Sequence, residues 1–225
     1  MPAIAPLPLT QLINIIVIQT GRTIDLAFEF EVRPMKPGWK LFLPFAPAFA
    51  MTGRAAQIAR GNGIPVTIDV DTIYHGFERV LPNVDYLVAS SEFPAAWTGE
   101  SDPFKALEAI QGEYGMRVAA MTLGAHGALA LEKGRFHYAP AYVVNCVDTT
   151  GAGDVFHGAF CYAVLQGMPI GDALEFSNAM AAVNCTALGA RGGIRGLEEV
   201  RALMTRAERR SHPEFAARST RAAGK

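Results

Sequence analysis

The spacing of apolar residues changes along the chain, and each change predicts a different element. Between Thr23 and Phe30 the apolar Ile24, Leu26, Phe28 and Phe30 alternate with Thr23, Asp25, Ala27 and Glu29, the two-residue period of a half-buried strand. Leu12 to Ile18 is a further strand candidate, and Pro34, Pro37 and Gly38 mark a turn. Beyond that turn, strand and helix patterns alternate. Lys40 to Leu43 predicts a short strand, Ala48 to Asn62 a helix closed by Gly63, and Ile64 to Asp69 a second strand. Tyr86 to Ala89 predicts a third strand, Phe104 to Tyr114 a helix, and Val118 to Leu123 a fourth strand. Ala128 to Leu131 and Arg135 to Tyr138 flank Glu132-Lys133-Gly134 as an edge hairpin.

This alternation is that of an α/β fold with a mostly parallel sheet. The apolar run Tyr142 to Val147 reads as one more strand, followed by a helix whose Phe156, Ala159, Phe160, Ala163 and Val164 recur at helical spacing. Ile170 to Thr186 predicts another helix with a face of small residues. Past Leu203 the chain becomes basic and loses periodicity, which predicts a disordered tail. Three segments result: 1–38 irregular with candidate strands, 39–204 a single α/β domain, and 205–225 a tail.

Open α/β sheets bind ligands at the C-terminal ends of their strands, which here gathers the loops of Asp69, Ser90, Thr122 and Asp148. One of these loops carries most of the candidate chemistry. Asp148-Thr149-Thr150-Gly151-Ala152-Gly153-Asp154 joins the predicted strand to the predicted helix. Small residues there allow Gly151, Ala152 and Gly153 to offer backbone N–H groups to a phosphate at a helix N-terminus. Asp154 follows in the first helical turn. A bare carboxylate beside phosphate is either a helix-start residue or a general base that takes the proton of an attacking hydroxyl. A dinucleotide fingerprint is excluded, because Phe156 stands where its third glycine belongs; a Walker loop is excluded for want of a Gly-Lys-Ser/Thr tripeptide.

The run Asp148 to Phe160 closely resembles the C-terminal signature of the ribokinase/PfkB family of ATP-dependent carbohydrate kinases. Thr122-Leu123-Gly124-Ala125-His126-Gly127 resembles that family's nucleotide loop. The resemblance implies a ribokinase-like three-layer α/β/α fold, with Asp154 as catalytic base and Gly151, Ala152 and Gly153 as anion hole. It further implies that Thr122, Gly124, Gly127 and Asn178 meet the nucleotide, and that Asp148, Thr150 and the loop at Gly189 hold a monovalent cation. ATP, Mg2+ and K+ are the implied cofactors, and a small sugar or related alcohol the acceptor. His126 and His157 lack a paired acid or Ser/Cys nucleophile at motif spacing and read as polar loop and helix-surface residues.

The chain departs from the family in two respects. The family's N-terminal lid and sugar-gripping residues are not recognisable, and where its Asn-x-x-Glu motif belongs the chain reads Ser90-Ser91-Glu92-Phe93. Two further readings stand beside the sugar kinase: a truncated nucleotide-binding remnant without transfer activity, and a ribokinase-fold kinase for a nucleoside or hydroxymethylpyrimidine. Because family members often dimerise through the lid, the resemblance leaves both a homodimer and a monomer open.

Composition narrows the partners. With 225 residues, 50% of them hydrophobic, the chain can bury one substantial core. A formal net charge of −1 favours neither nucleic acid nor an anionic membrane surface as partner. The N-terminus has no basic n-region, and its longest apolar run is cut by Asn14, so neither a signal peptide nor a membrane span is expected. Cys146, Cys161 and Cys185 lack metal-ligand spacing and read as reduced core residues of a cytoplasmic protein.

Overall fold

The computed structural model describes residues 41–43, 49–74 and 76–221. The strand candidates within residues 1–38 lie outside them. Six strands form the main sheet in sequence order: β1 (Leu41–Leu43), β2 (Val66–Val70), β3 (Tyr86–Ala89), β4 (Val118–Thr122), β5 (Ala128–Glu132) and β6 (Arg135–Ala139). β1 to β4 pair in parallel, and β5 and β6 add an antiparallel edge hairpin. Glu132 pairs with Arg135 across a two-residue turn in which Lys133 and Gly134 both have positive φ, the twist-matched geometry of tight hairpins.

Helices cover both faces of the sheet. The connections α1 (Phe49–Gly61), α2 (Phe93–Thr98) and α3 (Pro103–Tyr114) lie on one face, and α4 (Ala152–Leu165) and α5 (Ile170–Asn184) on the other. Strand alternation sorts the side chains between two cores. Ile68, Leu87, Met121 and Leu129 point toward the first layer with Leu107 and Ile110, while Val88, Ala120 and Ala130 point toward Phe156, Phe160 and Leu174. Strands buried on both faces explain the near-continuous apolar runs of β3, β4 and β5. The result is the expected three-layer α/β/α architecture.

Local chemistry sets the helix ends. Asp102 caps α3 by accepting the N–H groups of Phe104 (2.9 Å) and Lys105 (3.3 Å), Pro103 opens the first turn, and Gly115 closes the helix at φ 63°. The same carboxylate receives Arg218 at 2.9 Å.

The chain differs from the sequence-based expectation at both ends of the motif region. The strand expected over 142–147 is only Ala141–Tyr142 (β7), which pairs with Arg209–Arg210 (β8) in a separate two-stranded sheet. Val143 donates instead to Glu208 O (2.9 Å), and Val147 and Asp148 donate to Cys185 O (2.8 and 3.2 Å), so the apolar run crosses the end of α5 rather than joining the sheet.

The expected disordered tail is ordered through residue 221. The end of α6 (Leu197–Arg206), β8 and α7 (Pro213–Arg221) fall there, and Phe215 stacks on Phe104 and Tyr138, each at 5.7 Å. Arg209 joins β8 to the body by an ion pair with Glu175, by donating to Tyr142 Oη (3.0 Å) and Pro140 O (2.7 Å), and by lying over the Tyr142 ring. Burial, then the Glu175 carboxylate, pushes the Tyr142 phenol up to about 12. The basic residues that made the tail look solvated are therefore in part its anchors. Among the described residues no helix is long and apolar enough to cross a membrane.

Candidate active site

β2, β3 and β4 deliver their C-terminal ends to one edge of the domain, and α4 begins beside them. The turn before α4 is an Asx turn, in which Asp148 Oδ1 accepts the Thr150 N–H (2.9 Å). Asp148 Oδ2 accepts the Gly189 N–H (2.7 Å), so the closing loop Leu188–Gly193 is tied to the turn. Hydrogen bonding from Thr150 and then Gly189 holds the exposed Asp148 carboxyl below its ordinary range. Asp148, Thr150 and Gly189 thus come together, with both carboxylate oxygens accepting backbone N–H groups. Among the described residues no group of three or more His, Cys, Asp or Glu side chains is arranged to hold a metal ion.

Gly151 has φ 74° and caps α4; a Cβ there would lie 2.6 Å from Ala190 O. The turn and the closing loop meet at van der Waals distance, and only glycine fits. Buried Asn184 reinforces the junction, its Nδ2 donating to Ala190 O (3.1 Å) and Thr150 O (3.4 Å). Of the three expected anion-hole residues, Ala152 already gives its N–H to Thr149 O at 3.1 Å, while Gly151 and Gly153 have no backbone acceptor among the described residues. A helix start leaves such donors available to an anion.

Asp154 sits in the first turn of α4 with its side chain open to solvent. Its carboxyl is nevertheless raised above the usual carboxylate range, first by partial desolvation, then by repulsion from Asp69 and Asp71, with His157 pulling the other way. A carboxylate with heightened proton affinity at a solvent-open helix start can accept a proton from a bound hydroxyl.

The Thr122–Gly127 loop is a tight 3-10 turn (Gly124–His126) closed by Leu123 N–H to Gly127 O (2.7 Å). Gly127, at φ 99°, lies against the Ala139–Pro140 backbone, where a Cβ would fall 2.0 Å from Ala139 O. Thr122 Oγ1 donates to Ala89 O at 3.4 Å. Asn178 is buried, and its Nδ2 donates to Ala139 O (2.8 Å) and Pro140 O (3.3 Å). It braces α5 against the same β6–β7 junction that Gly127 touches, so its amide nitrogen is engaged within the protein.

Some sequence-based assignments need correction. His157 is not on the helix surface; it is fully buried between α4 and β2, with Nε2 3.2 Å from Thr67 Oγ1 and Nδ1 3.5 Å from Asp69 Oδ2. The signal was present in the helical spacing, since 157 lies one position from buried Phe156 and three from buried Phe160. His126 is in the exposed loop as expected, with its ring edge-on to His212 at 5.1 Å. Cys146 is exposed rather than in the core. Phe93, at the position where a metal-organising glutamate was sought, is buried in an aromatic cluster with Phe77 and Trp97. Glu92 beside it is exposed, and Ser90 Oγ donates to Asp71 O at 3.1 Å. These residues do not form a carboxylate site for magnesium.

Comparison with known proteins agrees with the fold. The profile of the family described as "pfkB family carbohydrate kinase" matches residues 47–195. Ribokinase of Haemophilus influenzae is 30% identical over 145 residues, 62% of this chain and 47% of that protein. The crystal structure of ribokinase from Thermotoga maritima is similar with a TM-score of 0.64 and 31% identity, over 74% of this chain and 56% of that one. Arabidopsis thaliana ribokinase, solved with ribose and ATP, shares the fold at a TM-score of 0.65 and 23% identity, over 74% of this chain and 55% of that one. The chain spans about half the length of curated relatives such as the Haemophilus enzyme.

Proposed function

Since the chain belongs to the pfkB family of carbohydrate kinases, we propose that it transfers the γ-phosphoryl group of ATP to a hydroxyl of a sugar or sugar-like alcohol. The observation that carries this is the position of Asp154, one residue beyond a glycine turn with undonated N–H groups and with its proton affinity raised by its surroundings. A base is of use only where a proton must leave, which favours transfer over simple nucleotide binding.

In the proposed reaction the acceptor oxygen forms a bond to the γ-phosphorus as the bond to the ADP oxygen breaks, and the acceptor proton passes to the Asp154 carboxylate. The N–H groups of Gly151 and Gly153, with the start of α4, stabilise the charge on the transferring oxygens. Ala152 contributes if its N–H turns from Thr149 O. Thr122, Gly124 and Gly127 line the nucleotide, with Asn178 fixing the wall behind Gly127. Asp148, Thr150 and Gly189 would hold a monovalent cation such as K+. Ser90 and Phe93 offer no carboxylate to magnesium, which would neutralise phosphate charge on the nucleotide.

A second reading, nucleotide binding without transfer, is favoured by Phe93, which removes a carboxylate that would organise metal and phosphates. One experiment separates the two. ADP release is measured with ATP, magnesium and potassium against a panel of ketoses, aldoses, nucleosides and hydroxymethylpyrimidine, beside Asp154→Asn, with ATP affinity titrated in both proteins. Acceptor-dependent release that the variant loses, at nearly unchanged ATP affinity, is the expected result. ATP binding with no acceptor-dependent release in any condition overturns transfer in favour of the second reading.

A further inference from the structure

Between the sheet and α4 lies His157, a buried ionisable side chain to which the proposed reaction gives no part. We infer that His157 is a positioning residue for Asp154: an imidazolium held under the site by Asp69 and Thr67 that keeps the Asp154 carboxyl ionised. The inference rests on the assignment of Asp154 as base.

Its geometry follows from two periodicities. On β2, Thr67 and Asp69 are two residues apart and so face the same side of the sheet, toward α4. On α4, Asp154, His157 and Cys161 are spaced three and four apart and so share the face that meets β2. The two rows interdigitate with His157 in the middle. Its Nε2 is 3.2 Å from Thr67 Oγ1, its Nδ1 is 3.5 Å from Asp69 Oδ2, and its side chain is 0% exposed. Cys161 Sγ approaches the same Thr67 oxygen at 3.9 Å.

Nδ1 faces the Asp69 carboxylate and Nε2 the Thr67 hydroxyl, which can accept as well as donate, so the surroundings accommodate a ring protonated at both nitrogens. A buried cation is tolerated only when paired, and the carboxylate of Asp69 supplies the pair. Burial alone would push the imidazole down, but Asp69 and then Cys161 carry it up to about 9. The charged groups around Asp154 are then Asp69 and Asp71, which oppose its ionisation, and His157, which favours it. Without His157 two carboxylates would face the base with no compensating charge, and the base would be protonated over more of the pH range.

The full chain labelled with 15N-histidine and 13C-aspartate provides the test, independent of turnover. The His157 nitrogens are expected to report the doubly protonated ring at about pH 7.5 and to titrate near 9. In His157→Gln, which retains hydrogen-bonding groups without the charge, the Asp154 carboxyl, assigned with Asp154→Asn, is expected to titrate about one pH unit higher. The acid limb of kcat/KM should rise by the same amount, with little change in KM for ATP. A neutral His157 ring at pH 7.5 overturns the inference in the wild-type chain alone, even if the variant fails to fold. An unmoved Asp154 titration in a folded variant overturns it as well. Absence of acceptor-dependent turnover would count against the kinase assignment instead, and leaves the carboxyl titration to decide the role of His157.

Discussion

Gly189 gives its backbone N–H to Asp148 Oδ2 at 2.7 Å, joining two loops 41 residues apart in the chain. The contact shows how this site is built: the turn that starts α4 is positioned by the loop that ends α5, and the two must move together. Helix α5 packs on α4 along its length, so the loop leaving one helix returns to the start of the other.

The fit between those loops makes a sharp prediction at the glycines. Gly151→Ala would set a methyl 2.6 Å from Ala190 O at a φ of 74°, and is expected to cost about 2–3 kcal/mol. Gly153→Ala meets nothing within 4 Å and lies in helical backbone, so it should be neutral or stabilising by up to about 1 kcal/mol. Urea denaturation of the two variants checks the contrast; equal destabilisation would mean that the loops do not pack as described.

Asp102 is predicted to stabilise the fold in a pH-dependent way. Burial acts to raise its carboxyl, but Arg218 and the N–H groups of Lys105 and Phe104 outweigh it and bring it below 3.8. A carboxyl lowered by folding contributes stability that is fully present above its unfolded value and is lost as pH falls through its folded value. Asp102→Ala should therefore cost about 1–2 kcal/mol near neutrality, from the lost cap and a partly screened pair. The difference from wild type should shrink in denaturation curves taken progressively below pH 3.8. A gap that stays constant with pH would assign the loss to packing.

The C-terminal residues are predicted to be structural. Phe215→Ala removes a half-buried ring stacked on Phe104 and Tyr138, with an expected loss of about 1–2 kcal/mol. Arg209→Met keeps much of the stem but leaves Glu175 without its cationic partner and with only the Tyr142 hydroxyl, and should lower the melting temperature by several degrees. Hydrogen exchange in β7 is the specific readout, since β8 is its pairing partner. Unchanged protection of Tyr142 in Arg209→Met would show that β8 docks without the ion pair.

Much of this architecture was readable from spacing. The parallel strands appear as short apolar runs because both faces are buried, and the helices between them carry their own punctuation, as with Asp102, Pro103 and Gly115 around α3. The Asp148–Asp154 turn was readable because its packing needs small residues at fixed positions, as at Gly151 against Ala190. What failed was what depends on the third dimension. Val143 to Val147 has the composition of a strand, but its partners are the carbonyls of Glu208 and Cys185, far away in the chain. The tail has few apolar residues, and its anchors are a single aromatic ring and two arginines whose acceptors lie elsewhere, so composition made it look solvated. The carbonyls of Ala139 and Pro140 that take the Asn178 N–H groups could not be paired with it from sequence.

Asn184 offers the last prediction. It is fully buried, and its amide nitrogen spans the two loops by donating to Ala190 O and Thr150 O, while no hydrogen bond to Oδ1 is found among the described residues. Asn184→Ala is expected to cost about 1–3 kcal/mol, because two carbonyls lose a buried donor. Asn184→Asp should be worse near neutrality, since an ionised carboxylate would face those carbonyls. Acid should partly rescue it: burial raises the new carboxyl, and its protonated form can donate one hydrogen bond. A group whose charged form is disfavoured by folding stabilises below its folded pKa and loses that contribution as pH rises through it. Stability of Asn184→Asp measured between about pH 5 and about pH 8 should therefore fall toward the alkaline end relative to wild type. A parallel dependence in the two proteins would mean that the position 184 side chain does not face the carbonyls of Thr150 and Ala190.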